Sequence, residues 1–226
     1  YNVISDNIIK SGGISLEGST KSTSGLVLGN AHYNLIKNNY IVVDDANGIY
    51  LSAYGSGSFI GGNSNHNVIR NNTVKCNLPD PTSWCYGIQL MGANNTAEFN
   101  TVIGTFRGIS TGADSNVTNN TLINITGKNF STGEMVGGDY AIIVGANSIV
   151  SDNKLINCFV ESAAVYVGTD STVKNNDINI KGKGVGVDAN GNNVKVINNN
   201  ITTDSGNGVS QIGKLTGLVV SNNNIT

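Results

Sequence analysis

The stretch Asn116–Ile123, NVTNNTLI, carries the pattern that decides the fold. It reads Asn-x-apolar-x-Asn-Asn-x-apolar, and versions of it occur nine times in the 226 residues. Successive copies are between 20 residues (Asn100 to Asn120) and 33 residues (Asn39 to Asn72) apart. Internal repetition at this period predicts a solenoid. The second Asn of each copy falls at Asn7, Asn39, Asn72, Asn100, Asn120, Asn153, Asn176, Asn199 and Asn223.

The compact repeat from Thr101 to Asn120 shows how one coil is built. TVIG (101–104), GIST (108–111) and NVT (116–118) are short apolar-alternating segments, separated by turn residues. No segment has helical periodicity, so the pattern predicts an all-β parallel β-helix of about nine coils with three short strands each. A Gly- or Ala-led strand recurs as GLVL (25–28), GIYL (48–51), GIQL (87–90), GIST (108–111), AIIV (141–144), AVYV (164–167), GVGV (184–187) and GVSQ (208–211).

The repeated Asn has a structural explanation. A tight turn between strands needs a residue that tolerates a left-handed backbone, and Asn does so better than any residue except Gly. Asn amides stacked about 4.8 Å apart can also hydrogen-bond from coil to coil, which satisfies polar groups buried at the corner. We therefore predict an Asn ladder at one corner, formed by Asn39, Asn72, Asn120, Asn153, Asn176, Asn199 and Asn223.

The composition excludes several classes of protein. The net charge is −2 and 12% of the residues are charged, so the basic stripe of a nucleic-acid-binding protein is absent. No apolar run has the length of a membrane span, and no signal peptide opens the sequence. We expect a soluble mature chain or an excised domain. The repeat runs from end to end, which predicts a single domain over residues 1–226; whether it is a segment of a longer surface protein stays open.

The cysteines bear on the compartment of the protein. Cys76 and Cys85 bracket one loop, KCNLPDPTSWC, and surface-loop cysteines pair where the redox environment permits. We predict a disulfide between them; the alternative is two unrelated thiols. Cys158 occupies a strand position and is expected to be a small buried hydrophobe.

The order strand, Asn-Asn corner, strand, variable loop, Gly-led strand and short turn resembles the right-handed parallel β-helix family of pectate-lyase-like proteins. The resemblance covers essentially the whole chain. That family includes polysaccharide lyases, glycoside hydrolases, epimerases, phage tailspikes and non-catalytic surface adhesins, so it implies a right-handed coil but no single activity. The repeated NNT and NNxI segments look most like the adhesin-like surface proteins of methanogenic archaea.

Four insertions interrupt the short repeats. Three lie between the Asn corner and the Gly-led strand, at Ile8–Ser24, Thr73–Tyr86 and Thr121–Tyr140, and are expected to project from the same corner. The fourth, Ser52–Asn65, leaves the opposite end of the Gly-led strands. The family resemblance implies that such loops form the walls of a carbohydrate cleft whose floor is the Gly-led sheet.

The predicted floor argues against catalysis. Alternation points Ile49, Leu51 and their equivalents inward, and leaves one carboxylate, Asp188, and no basic residue near the floor. An inverting hydrolase needs at least two carboxylates, and a Ca²⁺-dependent lyase needs several carboxylates and a base. We therefore predict no catalytic residues, no cofactor and no metal site. The outward residues are expected to be Val27, Tyr50, Gln89, Ser110, Ile143, Tyr166, Gly186 and Ser210, with Asp188 one step along.

Some polar residues remain as weaker candidates. Asp139 is expected to be a solvated charge on a long loop. His32 and His66 precede Asn34 and Asn67 at nearly matching repeat positions. They are expected to fill turns, because two ligands are too few for a metal site.

Aromatic residues are the stronger candidates for ligand contacts, because their faces stack on sugar rings and dominate many binding sites. The alternative is that Trp84 and Phe130 only pin their own loops to the solenoid. The predicted ligand-binding residues are Tyr50, Tyr54, Trp84, Tyr86, Phe130, Tyr140 and Tyr166.

Three functional hypotheses follow. The first is a non-catalytic extracellular or cell-surface rod that binds a glycan or a neighbouring surface protein. The second is a polysaccharide lyase, hydrolase or epimerase. The third is an envelope, sheath or filament subunit that assembles with copies of itself through the solenoid ends, because both ends stop at the same phase of the repeat.

Overall fold

The chain folds into stacked coils of short parallel strands in the computed structural model. The structure describes residues 1–10, 14–15, 26–28, 32–44, 47–51, 64–77, 85–127, 138–211 and 213–226. Among these residues, no helix could span a membrane.

Every element within the described ranges is a β-strand. In chain order the strands are β1 (Val3–Ser5), β2 (Ile8–Lys10), β3 (Ile14–Ser15), β4 (Leu26–Leu28), β5 (Leu35–Lys37), β6 (Tyr40–Val43), β7 (Ile49–Leu51), β8 (Val68–Arg70), β9 (Thr73–Cys76), β10 (Tyr86–Leu90), β11 (Thr96–Glu98), β12 (Thr101–Ile103), β13 (Arg107–Thr111), β14 (Asn116–Thr118), β15 (Thr121–Ile123), β16 (Gly138–Val144), β17 (Ile149–Ser151), β18 (Lys154–Val167), β19 (Thr172–Lys174), β20 (Asp177–Lys181), β21 (Val185–Ala189), β22 (Lys195–Ile197), β23 (Asn200–Thr203), β24 (Val209–Ser210), β25 (Val219–Ser221) and β26 (Asn224–Ile225).

The strands form three parallel sheets that run along the solenoid. Sheet A contains β1, β5, β8, β11, β14, β17, β19, β22 and β25. Sheet B contains β2, β6, β9, β12, β15, the first part of β18, β20, β23 and β26. Sheet C contains β3, β4, β7, β10, β13, β16, the last part of β18, β21 and β24. The predicted all-β parallel β-helix is confirmed.

The core is filled by inward side chains of the strands of the inner coils. In sheet A these include Ile36, Ile69 and Val117, and all three are fully buried. The predicted inward residues of sheet C, such as Ile49 and Leu90, are also buried. Because the side chains of a strand alternate, each coil presents its remaining positions to solvent.

The predicted Asn ladder lies between sheets A and B. Each ladder Asn donates from its backbone N–H and from Nδ2 to the Oδ1 of the Asn on the next coil; for Asn120 and Asn153 these distances are 2.9 and 3.0 Å. The ladder is continuous from Asn7 to Asn223. All the members from Asn39 to Asn199 are buried, so the ladder satisfies polar groups inside the corner.

The left-handed residue of this corner is the one before each ladder Asn. Asn38 and Asn119, for example, have φ of 57° and 56° and are exposed. The two Asn of the repeat therefore have different tasks, because the first makes the turn and the second joins the coils.

A second ladder, which the sequence analysis did not predict, lies at the other end of sheet A. Asn2, Asn34 and Asn67 donate to Oδ1 of the next Asn on the following coil, and Asn95 donates from its backbone to Ser115 Oγ at 3.2 Å. Ser115, Ser148 and Ser171 then continue the ladder through their hydroxyls.

Tyr33 and His66 take the left-handed position that precedes this second ladder, with φ of 57° and 59°. A left-handed conformation costs an ordinary L-residue roughly 1–2 kcal/mol, so the pair together costs about 2–4 kcal/mol. Their rings stack with centroids 4.8 Å apart and planes 5° apart. A stacked aromatic pair contributes about 0.5–1.5 kcal/mol in addition to the area that it buries, so the stacking offsets part of this strain.

The Gly at the start of most sheet C strands has a steric cause. A Cβ on Gly87 would lie 2.4 Å from Val102 Cγ1 and 2.6 Å from the carbonyl oxygen of Gly108 on the next coil. The corner between sheets B and C therefore admits Gly, and in two coils the fully buried Ala141 and Ala164.

One detail of the predicted organisation needs correction. Within the first insertion, Ile14–Ser15 pairs with Leu26–Val27 as a strand of sheet C, so the insertion does not lie wholly between the Asn corner and sheet C. The other predicted loop segments at 16–24, 52–63, 78–84 and 128–137 lie outside the described residues.

Candidate functional site

The outer face of sheet C carries a row of side chains in register. Each member lies between inward residues of its own strand, and successive members are direct neighbours on adjacent coils. This central row contains Tyr50, Gln89, Ser110, Ile143, Tyr166, Asp188 and Ser210.

The register corrects the predicted floor at one position. Asp188, and not Gly186, pairs with Tyr166. Gly186 takes the corner position, where a Cβ would lie 2.5 Å from Ile201 Cγ2. Residues 186–189, and not the predicted 184–187 (GVGV), therefore align with the preceding strand of sheet C. This shift of two residues brings the carboxylate of Asp188 into the central row.

Asp188 is almost buried there. Its exposed fraction is 9%, and within the described residues Oδ1 has no hydrogen-bond partner. Burial raises the pKa of the Asp188 carboxyl, because desolvation disfavours the charged form.

Next to the central row, polar side chains link four successive coils. The guanidinium of Arg107 lies over the ring of Tyr86, 4.9 Å from its centroid. Nε of Arg107 donates to Asp139 Oδ2 at 2.8 Å, and Nη2 also pairs with this oxygen. Ser162 Oγ donates to the other oxygen, Oδ1, at 3.0 Å. The carboxylate of Asp139 is therefore held on both sides.

Two tyrosines join this network to the central row. The rings of Tyr140 and Tyr166 contact edge to face, with centroids 5.3 Å apart. Burial, and then the negative charge of Asp139, raise the pKa of Tyr140. Asn190 Nδ2 donates to the hydroxyl of Tyr166. The two rings therefore form a supported aromatic pair at the surface.

The predicted ligand-binding residues fall into three groups. Tyr86, Tyr140 and Tyr166 share this face, and the last two are in contact. Tyr50 lies in the central row but has only 6% of its surface exposed. The remaining three lie outside the described residues: Tyr54, Trp84 and Phe130.

Arg107 and Asp139 were missed as site residues. Arg107 falls between the predicted segments 101–104 and 108–111, but it begins β13. Asp139 was expected to be a solvated loop charge, but it lies in β16 and pairs with Arg107. A signal was present in the sequence, because Tyr86 and Arg107 both stand two residues before the first inward Ile of their strands.

Two further predictions concern other parts of the molecule: a disulfide and the absence of a metal site. Cys76 and Cys85 are both buried, and their pairing stays a prediction. Within the part of the chain that the structure describes, no three His, Cys, Asp or Glu residues form a group that could hold a metal ion.

Comparison with known proteins agrees with the coil architecture. Residues 1–122, more than half of the chain, match the family model described as the right-handed β-helix region, and the chain belongs to that family. No curated protein matches it in sequence.

Among solved structures, the chain is similar to the tailspike protein of Escherichia coli bacteriophage HK620 in complex with a pentasaccharide. The TM-score is 0.56 at 13% identity over 97% of this chain and 47% of the tailspike chain. A single-residue mutant of the same tailspike, also with pentasaccharide, gives a TM-score of 0.54 at 13% identity and the same coverage. The chain thus spans about half the length of this relative, and the likeness shows the shared fold.

Proposed function

We propose that the protein is an extracellular or cell-surface β-helical rod that binds a glycan on the outer face of sheet C. The observation that carries this proposal is the Tyr140–Tyr166 pair beside the Arg107–Asp139 ion pair. Aromatic rings take the apolar faces of sugars, while charged groups that are already oriented bind hydroxyls without a large loss of side-chain entropy.

The dimensions of the face favour an oligosaccharide. Tyr86 and Tyr166 lie on strands three coils apart, which at about 4.8 Å per coil is roughly 14 Å. One sugar ring cannot contact both. The tailspike with the same fold was solved with a pentasaccharide, and this supports a ligand of similar class.

Glycan-array screening, followed by calorimetry with the best ligand, tests the proposal. We expect Tyr166→Ala and Tyr140→Ala to weaken binding at least tenfold. Tyr40→Ala is the matched control, because Tyr40 is an exposed tyrosine (42%) on sheet B. Absence of binding to any glycan, or equal losses for Tyr40→Ala and Tyr166→Ala, would contradict the proposal.

A second candidate, a glycan-cleaving enzyme, is favoured by Asp188. Desolvation raises the pKa of the Asp188 carboxyl, which is the direction that a general acid for a leaving-group oxygen requires. Glycoside hydrolysis also needs a second carboxylate. Asp139 is one candidate, because its charge and that of Asp188 both act on Tyr140. Arg107 and Ser162 already bind Asp139, however, so binding without cleavage is the stronger proposal.

The two candidates differ in turnover. Incubation of the protein with bound polysaccharides, followed by a reducing-end assay, should show no product for a binding protein. Product formation that Asp188→Asn abolishes while glycan affinity is retained would establish the enzyme instead.

A further inference from the structure

Three aromatic residues occupy left-handed corners at the two ends of sheet A. They are Tyr33, His66 and Phe99, and all three are exposed. Every other residue with a positive φ in the described part of the chain is Asn, Asp or Gly. Phe99 has a φ of 56° and is 51% exposed, so burial in the core does not explain a phenyl ring at this corner. Backbone strain without a structural explanation is evidence for a role of the side chain.

The corner that follows on the next coil holds an Asn in both rows. The backbone N–H of His66 donates to the residue before Asn94 at 3.3 Å, and that of Phe99 donates to the residue before Asn119 at 3.2 Å. Asn94 and Asn119 are exposed and left-handed, with φ of 58° and 56°. Each begins the sequence Asn-Asn-Thr, which is an acceptor sequence for N-glycosylation, Asn-x-Ser/Thr.

An acceptor sequence alone is weak evidence in a chain so rich in Asn and Thr, and Asn71 shows the difference. It begins the same Asn-Asn-Thr, is exposed and has a φ of 54°. The corner before it on the preceding coil is Asn38, which is not aromatic. The combination of an acceptor Asn and an exposed, strained ring is therefore a feature of Asn94 and Asn119 and not of Asn71.

The side chains of corner Asn residues reach toward the preceding coil. Nδ2 of Asn175 donates to Asp152 Oδ1 at 3.2 Å, and the corners at the other end of sheet A follow the same direction. This direction brings the amide of Asn119 toward the ring of Phe99. Because Phe99 has no side-chain acceptor, the Asn119 amide cannot make this bond to its neighbour.

We propose that Asn94 and Asn119 are N-glycosylated and that the first sugar of each glycan stacks on the ring of the preceding coil, His66 or Phe99. Adjacent coils are about 4.8 Å apart, which lies within the roughly 4.5–7 Å of stacked ring contacts. At Asn94 the sugar would extend the Tyr33–His66 stack by one ring. The proposal rests on the extracellular location proposed above, but not on glycan binding by sheet C.

The modification needs an oligosaccharide donor that is linked through its first sugar to a lipid phosphate or diphosphate. Nδ2 of the Asn forms a bond to C1 of that sugar, and the bond from C1 to the phosphate oxygen breaks. The lipid phosphate leaves with the electron pair, and Nδ2 loses one proton to solvent. Stacking then orders the sugar on the exposed ring, which gives the aromatic side chain a function at its strained corner.

Peptide mass spectrometry of the protein from its native cells tests the modification. We expect a glycan at Asn94 and at Asn119. Trypsin leaves Asn119 in one peptide, residues 108–128, with two further acceptor sequences at Asn116 and Asn124. Electron-transfer fragmentation is therefore needed to assign the modified residue. Absence of a glycan from both Asn94 and Asn119 would overturn the proposal.

The midpoint of thermal unfolding tests the stacking. Protein secreted from a eukaryotic host carries glycans attached through N-acetylglucosamine, and protein from a bacterial cytoplasm is the glycan-free reference. Thr121→Val and Thr96→Val destroy the two acceptor sequences and leave the corners intact. Each should lower the midpoint by about 2–4 °C more in the secreted protein than in the reference, as expected for one stacking contact in a chain of this length. Thr73→Val, which destroys the acceptor sequence of Asn71, is the matched control and should show no such excess.

Phe99→Gly separates the sugar contact from the acceptor sequence, because Gly adopts the left-handed corner without steric cost. In this variant the excess loss for Thr121→Val should disappear. An excess that persists in Phe99→Gly, or an equal excess for Thr73→Val, would overturn the stacking. If both glycans are present but the glycan-free protein binds no glycan on an array, only the function proposed for sheet C is contradicted.

Discussion

Asn100 donates from its backbone N–H and its Nδ2 to a single acceptor, Oδ1 of Asn120, at 2.9 and 3.0 Å. Both residues are 1% exposed. The corner of each coil therefore depends on a side chain 20 residues away in the sequence, and the ladder makes neighbouring coils interdependent.

The first prediction concerns this contact. Asn120→Ala removes the acceptor of two buried donors, and each unsatisfied buried donor costs about 1–3 kcal/mol. We expect the free energy of unfolding to fall by about 2–6 kcal/mol, measured by urea denaturation.

Its control is Asn119→Gly, at the exposed left-handed position with φ of 56°. Gly adopts this conformation without steric cost, so the free energy of unfolding should change by less than about 1 kcal/mol. Equal losses in the two variants would mean that the ladder does not join the coils as described.

A second prediction concerns the corner between sheets B and C. The Cβ of Gly87→Ala would meet Val102 Cγ1 at 2.4 Å and a carbonyl oxygen at 2.6 Å. Overpacking of this kind costs about 1–3 kcal/mol, and thermal unfolding should show the loss. Ala164→Gly, at the equivalent corner of another coil, should cost no more than about 1 kcal/mol. A Gly87→Ala variant of wild-type stability would refute the steric explanation for the Gly-led strands.

The third prediction concerns pH. Burial raises the pKa of folded Asp188 above its usual 3.8, so between these two values the folded chain binds more protons than the unfolded chain. The contribution of this carboxyl to stability is complete below pH 3.8 and is lost as the pH rises through the raised pKa. Asp188→Asn, which cannot ionise, should therefore be more stable than the wild type at about pH 7, and its advantage should disappear on acidification.

Denaturant unfolding of Asp188→Asn and of the wild type, from pH 3.8 to about pH 7, measures this difference in the free energy of unfolding. Ser210→Asn, at the neighbouring central-row position, should show a pH-independent difference because Ser210 does not titrate. A pH-independent difference for Asp188→Asn as well would show that its carboxyl is not desolvated.

The fourth prediction concerns the thiols. Burial raises the pKa of the Cys158 thiol to about 12, so the reactive thiolate is scarce at neutral pH. In the folded protein, iodoacetamide should not label Cys158 at about pH 8, whereas the unfolded chain should react within minutes. Peptide mass spectrometry identifies the labelled residue, and rapid labelling of Cys158 in the folded protein would contradict its burial.

The same experiment tests the predicted disulfide. Protein produced in an oxidising compartment and unfolded without reductant should be labelled only at Cys158 if Cys76 and Cys85 are paired. Labelling at all three cysteines would refute the disulfide.

The sequence determined the parallel β-helix, the Asn ladder and the inward faces of the strands. These follow from local rules that recur along the chain: alternation places Ile88 and Leu90 inside, and Asn or Asp fills most of the left-handed corner positions. The same rules could have found the second ladder, because Asn34 and Asn67 begin their copies of the repeat, but its change to Ser115 hides the pattern.

Only the tertiary structure decided which side chains share a surface. Gly184 and Gly186 fit the local pattern equally well, and the pairing of β21 with β18 selects Gly186 and so brings Asp188 into line with Tyr166. Arg107 and Asp139 meet although 32 residues separate them, because coils of unequal length stack in register. Local sequence specifies whether a side chain points into the core or out of it. The neighbours of that side chain on adjacent coils depend on the number of residues in each coil. The strand register is therefore settled only when the sheets pair.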